Sequence, residues 1–136
     1  MKQSVSHYVM PDEKEEATAE LVHRLGLDGI ENLIYGDEPS SNLFTSLTVG
    51  AHLRFWPRWM DFYLGNTKRY KKQFPDEKAL TAYYGASDTD GWLEEIRKNI
   101  RAALAENPEY LVWHVADCTL EEAWTRPFYY TSKDDF

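Results

Sequence analysis

The sequence predicts an alternating α/β chain with a parallel sheet, on three observations. Four short β-prone apolar runs recur along its 136 residues, helical stretches lie between them, and three of the four histidines fall where the runs end. The first run, Ser4–Val9, is short and closed by Pro11, and reads as a strand. Pro11-Asp12-Glu13 then opens a helix with acidic residues at its positive end. Ala17, Leu21 and Leu25, with Val22 beside them, form its expected apolar stripe, and Gly26 stops it.

Gly29–Tyr35, closed by Gly36-Asp37, is the second strand, one helix away from the first, which is the spacing of a parallel βαβ unit. Leu47–Leu53 is the third. An aromatic loop follows, Phe55-Trp56-Pro57-Arg58-Trp59-Met60-Asp61-Phe62-Tyr63. From Leu64 to Tyr84 the periodicity is weak, and one or two short helices are expected. Trp92, Ile96, Ile100 and Leu104 then repeat every four residues as one helix face, ended by Asn107-Pro108. Tyr110–Ala116 is a continuous apolar run and predicts a fourth strand covered on both faces. Thr119–Ala123 could form one helical turn, and Thr131–Phe136 resembles a helix start without its helix, as if the chain were truncated there.

Bulk properties narrow the function classes. With 43% hydrophobic and 28% charged residues the chain suits a single folded domain, residues 1–136. Its net charge of -8 disfavours nucleic-acid binding, and the one basic cluster, Lys68, Arg69, Lys71 and Lys72, is equally a solvated helix face. Cys118 is the single cysteine, so no internal disulfide forms and a reducing, cytoplasmic setting is expected. No run is long enough for a membrane span, and the N-terminus lacks the apolar stretch of a signal peptide.

In a parallel α/β sheet the residues just past the C-terminal strand ends face the ligand crevice. That places His7, Glu31, His52, and His114 with Asp117 as candidates, and leaves His23 on a helix as a surface or packing residue. Imidazoles and carboxylates converging on one rim are the material of a divalent metal site or an acid–base pair. Each histidine can equally serve a loop hydrogen bond. Glu31, a carboxylate on a buried strand, needs a partner or a ligand, and Arg54 could hold it. Trp56 and Trp59 in the aromatic loop could wall a polyol pocket, pack a core, or form an interface. Cys118 reads as a buried, unreactive thiol.

The stretches Leu27-Asp28-Gly29-Ile30-Glu31, Gly50-Ala51-His52-Leu53-Arg54 and Tyr110-Leu111-Val112-Trp113-His114-Val115, with Thr119-Leu120-Glu121-Glu122, carry a resemblance. Together they resemble the xylose-isomerase-like TIM barrels, which include sugar epimerases and apurinic-endonuclease-type enzymes. The resemblance implies the N-terminal (βα)4 half of a barrel, completed by a second copy as a homodimer or truncated from a full barrel. It further implies a divalent metal, Mn or Zn, with His52 and His114 as ligands. The implied reaction is proton transfer on a sugar or polyol, with Glu31 as catalytic residue and His7, Arg54, Trp56 and Trp59 as substrate contacts. A non-catalytic binding or assembly protein of the same fold, and an endonuclease-type hydrolase, are the alternatives.

Overall fold

The computed structural model describes residues 2–56, 59–66, 71 and 74–114. Their contacts fall into two compact units, one formed by Met1–Arg54 with Ile96–Trp113, the other built around Phe55–Glu95.

The first unit holds a four-stranded sheet in the order β1-β2-β3-β4, namely Ser4–His7, Gly29–Ile34, Thr48–Leu53 and Tyr110–Val112. All three pairings are parallel, with Ser6 beside Glu31, Glu31 beside Gly50, and Gly50 beside Tyr110. The α/β class and the parallel sheet expected from the sequence are therefore present. β4 differs from expectation. Among the described residues it pairs with β3 alone, and Tyr110, Leu111 and Trp113 are 41%, 37% and 37% exposed. An apolar run marks β-propensity, but coverage depends on neighbours the run does not encode.

Alternate side chains point to opposite faces of a strand, so the register separates two surfaces. One is the helix-covered face, where Ile30, Asn32, Ala51 and Leu53 are buried. Ile30 packs with Val9, Val22 and Phe44, and Ala51 and Leu53 pack with Ala103, Ile100 and Ile34. Each large apolar side chain so enclosed contributes about 1.5–3 kcal/mol. Asn99 fastens this layer at the strand ends. Its amide donates to the Ile34 and Gly36 carbonyls at 2.9 and 2.6 Å, and its oxygen accepts from the Arg54 N–H at 3.0 Å.

Helix α1, Glu15–Arg24, begins four residues later than Pro11 suggested, and Gly26 follows it at φ 68°. It buries Thr18 and Val22, whereas Ala17 is exposed and Leu21 and Leu25 are 42% and 58% exposed. The predicted stripe is thus corrected by a fraction of a turn. In the long helix Thr89–Leu104 a strict four-residue repeat, which advances about 400° per step on a helix of 3.6 residues per turn, drifts about 40° each time. Trp92 is buried at its start, Asn99, Ala102 and Ala103 take over the buried positions, and Leu104 ends 55% exposed.

In the second unit the expected aromatic loop is partly helical, with α2 spanning Trp59–Tyr63. The weak region contains α3, Glu77–Tyr84, where the Asp76 carboxylate accepts the Ala79 N–H at 2.8 Å and Gly85 at φ 78° closes the end. The long helix Thr89–Leu104, α4, runs from this unit into the first. Aromatic rings form the core here: Phe62 stacks on Tyr84 at 4.1 Å, and Trp92 meets Trp56, Trp59 and Phe62 at 6.1, 6.0 and 5.9 Å.

Candidate functional site on the open sheet face

The second face of the sheet carries Ser4 and Ser6 from β1, Glu31 and Leu33 from β2, Gly50 and His52 from β3, and Tyr110 and Val112 from β4. The Glu31 carboxylate sits at its middle. Ser6 Oγ donates to Glu31 Oε1 at 3.3 Å, and the Tyr110 hydroxyl donates to Glu31 Oε2 at 3.2 Å. With that proton committed, Ser4 Oγ at 3.2 Å from the Tyr110 oxygen acts as the donor in turn. Hydroxyls from β1 and β4 thereby converge on a carboxylate of β2.

Gly50 makes this reach possible. A Cβ at position 50 would lie 2.4 Å from Cε2 and Cζ of Tyr110, so the phenol ring occupies the space above the β3 backbone. Only a residue without a side chain lets Tyr110 cross β3 to Glu31. Sequence reading found Glu31 but not Ser4, Ser6 or Tyr110. Their small-polar and aromatic character carried no signal until the register placed them in one row.

The sequence expectation that Arg54 holds Glu31 is replaced by these hydroxyls. Arg54 follows β3, and its backbone N–H is engaged by Asn99. His7 stands at the end of β1 with its Nε2 at 2.7 Å from Glu13 Oε1. Glu13 also accepts from the Thr18 hydroxyl and from the Met10 N–H at 3.1 Å. Burial tends to raise the Glu13 pKa, but the bonds from Thr18, Met10 and His7 outweigh it and hold the carboxyl below its ordinary value. His7 therefore braces the β1–α1 connection, where Asn42 also bonds the Met10 and Glu13 carbonyls.

His52 lies on the open face in register with Leu33 and Val112, its Nδ1 at 3.2 Å from the carbonyl of Leu53. His114 belongs to the second unit and meets the Phe55 ring edge-on at 5.6 Å. Among the described residues no three His, Cys, Asp or Glu side chains gather as a metal-binding group. Trp56 is 2% exposed within the aromatic core, and Trp59 stacks on Trp92 at 21°. Lys71 pairs with Glu77 at 3.0 Å, whereas Lys68, Arg69, Lys72, the end of the expected fourth strand at Val115 and Ala116, Asp117, Cys118, Thr119–Ala123 and Thr131–Phe136 lie outside the described residues.

A second polar group is buried on the helix side of the sheet. Glu106, just past α4, is fully enclosed, and its Oε2 accepts from the Phe44 N–H at 3.0 Å and the Thr48 hydroxyl at 3.3 Å. Its Oε1 has no hydrogen-bond partner among the described residues. Burial raises its pKa, with the Glu15 charge adding to the rise, against the opposing bonds from Phe44, Thr48 and Asn32. Sequence gave no hint of it, because a glutamate after a helix reads as solvated by default.

Among the described residues no helix is long and apolar enough to cross a membrane. Comparison with protein-family models, with curated proteins and with solved structures finds no match for this chain.

Proposed function

We propose that the chain is a sugar isomerase/epimerase-like α/β protein whose open sheet face performs proton transfer on a polyol. One observation carries this reading: a carboxylate, Glu31, stands on the sheet face opposite the described helices, between hydroxyls donated from β1 and, across β3, from β4. A carboxylate so held is positioned to take a proton from the carbon beside a carbonyl and return it to the neighbouring carbon, while the hydroxyl proton of the first carbon passes to the old carbonyl oxygen. Ser6 and Tyr110 orient it, and a bound sugar's hydroxyls would exchange places with theirs in the same hydrogen-bonding row. In this reading the proton steps fall to Glu31 and its hydroxyl neighbours, and the expected divalent metal would polarise the substrate's carbonyl oxygen.

The resemblance to the xylose-isomerase-like barrels is part of the same proposal. The four-stranded parallel sheet, with its described helices packed on one face, supports this reading. In this reading a second copy completes it. Light scattering after size-exclusion chromatography would give a discrete dimer, and a sharp monomer would remove the half-barrel part of the proposal.

The function itself is tested by incubating the protein in D2O with a panel of aldoses and ketoses and following loss of C–H signals by NMR. Exchange that vanishes in a folded Glu31→Gln variant supports the reading. Exchange unaffected by Glu31→Gln, or absent with every sugar, refutes it. Binding without exchange would favour the non-catalytic alternative, which the double hydrogen bonding of Glu31 also suits, since both carboxylate oxygens already have partners.

A further inference from the structure

A cleft of about 170 Å³ opens at the C-terminal ends of β1 and β2, lined by Tyr8, Val9, Asn32, Leu33, Ile34, Tyr35, Gly36, Glu38 and Ser40. It lies where parallel α/β sheets take their ligands, beyond the carboxyl ends of the strands. None of the site residues expected from the sequence lines it. Its size is below the roughly 300–1,000 Å³ of sites for drug-sized molecules, which restricts it to something of monosaccharide size.

We propose that this cleft is a binding site for a neutral monosaccharide or cyclic polyol. Tyr8 and Tyr35 are 47% and 55% exposed, with ring centroids 5.7 Å apart and planes tilted by 50°. Two half-exposed rings set at an angle give a ligand one apolar C–H face to lie on and a second ring at its edge. In the same lining Glu38 supplies a carboxylate acceptor, and Ser40, whose oxygen already accepts the Asn42 N–H at 3.0 Å, keeps its hydroxyl proton to donate, a pair suited to vicinal hydroxyl groups. Asn32 forms a fixed floor, 2% exposed, its oxygen within 3.5 Å of the Val9 N–H. Asn99 anchors the rim by bonding the Gly36 carbonyl at 2.6 Å. A cation would gain from Glu38 and the rings, but one carboxylate beside a hydroxyl and an amide matches uncharged hydroxyls better.

The ligand class is that of the proton-transfer reading, on which this inference rests, but the residues are different and the two separate experimentally. Binding of D-xylose, D-glucose and myo-inositol to the full chain is measured by saturation-transfer NMR and calorimetry, with tetramethylammonium as the cationic probe. At least one polyol binds with millimolar affinity, and Tyr35→Ala or Tyr8→Ala weakens it by roughly tenfold or more. Glu16→Gln, an exposed residue of α1 outside both sites, leaves that affinity within about twofold. Both tyrosines are exposed, so their loss leaves the fold intact, which circular dichroism verifies. The inference is overturned if no polyol binds, if only tetramethylammonium binds, or if neither tyrosine variant weakens binding. Binding lost in Glu31→Gln but kept in Tyr35→Ala also overturns it, and moves the ligand to the open face. Binding that persists without any C–H exchange supports the cleft while removing the proton-transfer reading.

Discussion

Replacing Glu106 separates two contributions of one buried carboxyl. Glu106→Ala removes the acceptor of the Phe44 N–H and the Thr48 hydroxyl, both beside a fully enclosed side chain. Each donor left unsatisfied costs about 1–3 kcal/mol, so with the cavity the variant should lose about 2–5 kcal/mol. Glu106→Gln keeps an acceptor oxygen at the Oε2 position and puts an amide where Oε1 has no described partner, much as the protonated acid does. Its cost should stay below that of Glu106→Ala. The pH dependence has a definite sign. The folded pKa is raised above the ordinary value of 4.5, so between the two values the folded state binds more protons than the unfolded one. The wild type then has its full contribution below that ordinary value and loses it as pH rises through the folded pKa. For one proton the slope is no steeper than about 1.4 kcal/mol per pH unit. Urea unfolding of wild type and Glu106→Gln at half-unit steps from pH 4 to 8 checks this, since the difference isolates Glu106. Parallel curves, or a Glu106→Gln variant as unstable as Glu106→Ala, would show that burial does not govern this carboxyl.

Three further outcomes follow from the same structure. Gly50→Ala places a methyl 2.4 Å from the Tyr110 ring, displaces the phenol from Glu31 and costs about 1–2 kcal/mol, whereas Gly50→Ala combined with Tyr110→Ala costs less than the sum; denaturant melts of the double-mutant cycle measure both. Asn99→Ala strips the bonds to Ile34, Gly36 and Arg54 and should lower stability by about 2–4 kcal/mol, with the early hydrogen exchange concentrated at the ends of β2 and β3. The folded pKa of Glu13 is depressed, so its contribution is present above the ordinary carboxylate value and lost as pH falls through the folded one; Glu13→Gln should flatten the acid limb of the stability profile, and an unchanged limb would contradict the bonding around Glu13.

How much of this was legible in the sequence depends on the scale of the pattern. The four strands and the long helix announced themselves because β-propensity and helical spacing are local properties, and β2 and β3 fell within one residue of their predicted ends. The faces of the helices were less legible. Val22, named beside the visible stripe, is buried, yet tertiary packing pairs it with Thr18 and leaves Leu21 and Leu25 exposed. Glu31 could be singled out because a carboxylate on a strand is conspicuous by itself. Its partners could not, since Ser4, Ser6 and Tyr110 lie 27, 25 and 79 positions away in sequence and meet only through the register. The aromatic loop illustrates a third case: Trp56 and Phe62 carried both a pocket and a core reading, and contact with Trp92 and Tyr84, again distant in sequence, made them core.

The contact between Gly50 and Tyr110 also constrains how this protein can vary. A phenol lying flat over a backbone leaves position 50 no freedom while position 110 stays aromatic, and position 31 shares the constraint through the hydroxyl. Substitution at any one of the three therefore alters what the other two tolerate. Across diverging copies of this chain, positions 31, 50 and 110 should covary: a side chain at 50 accompanied by a shorter residue at 110, and loss of the aromatic hydroxyl accompanied by a change at 31. The contact thus couples three strands of the sheet through one ring and one hydroxyl.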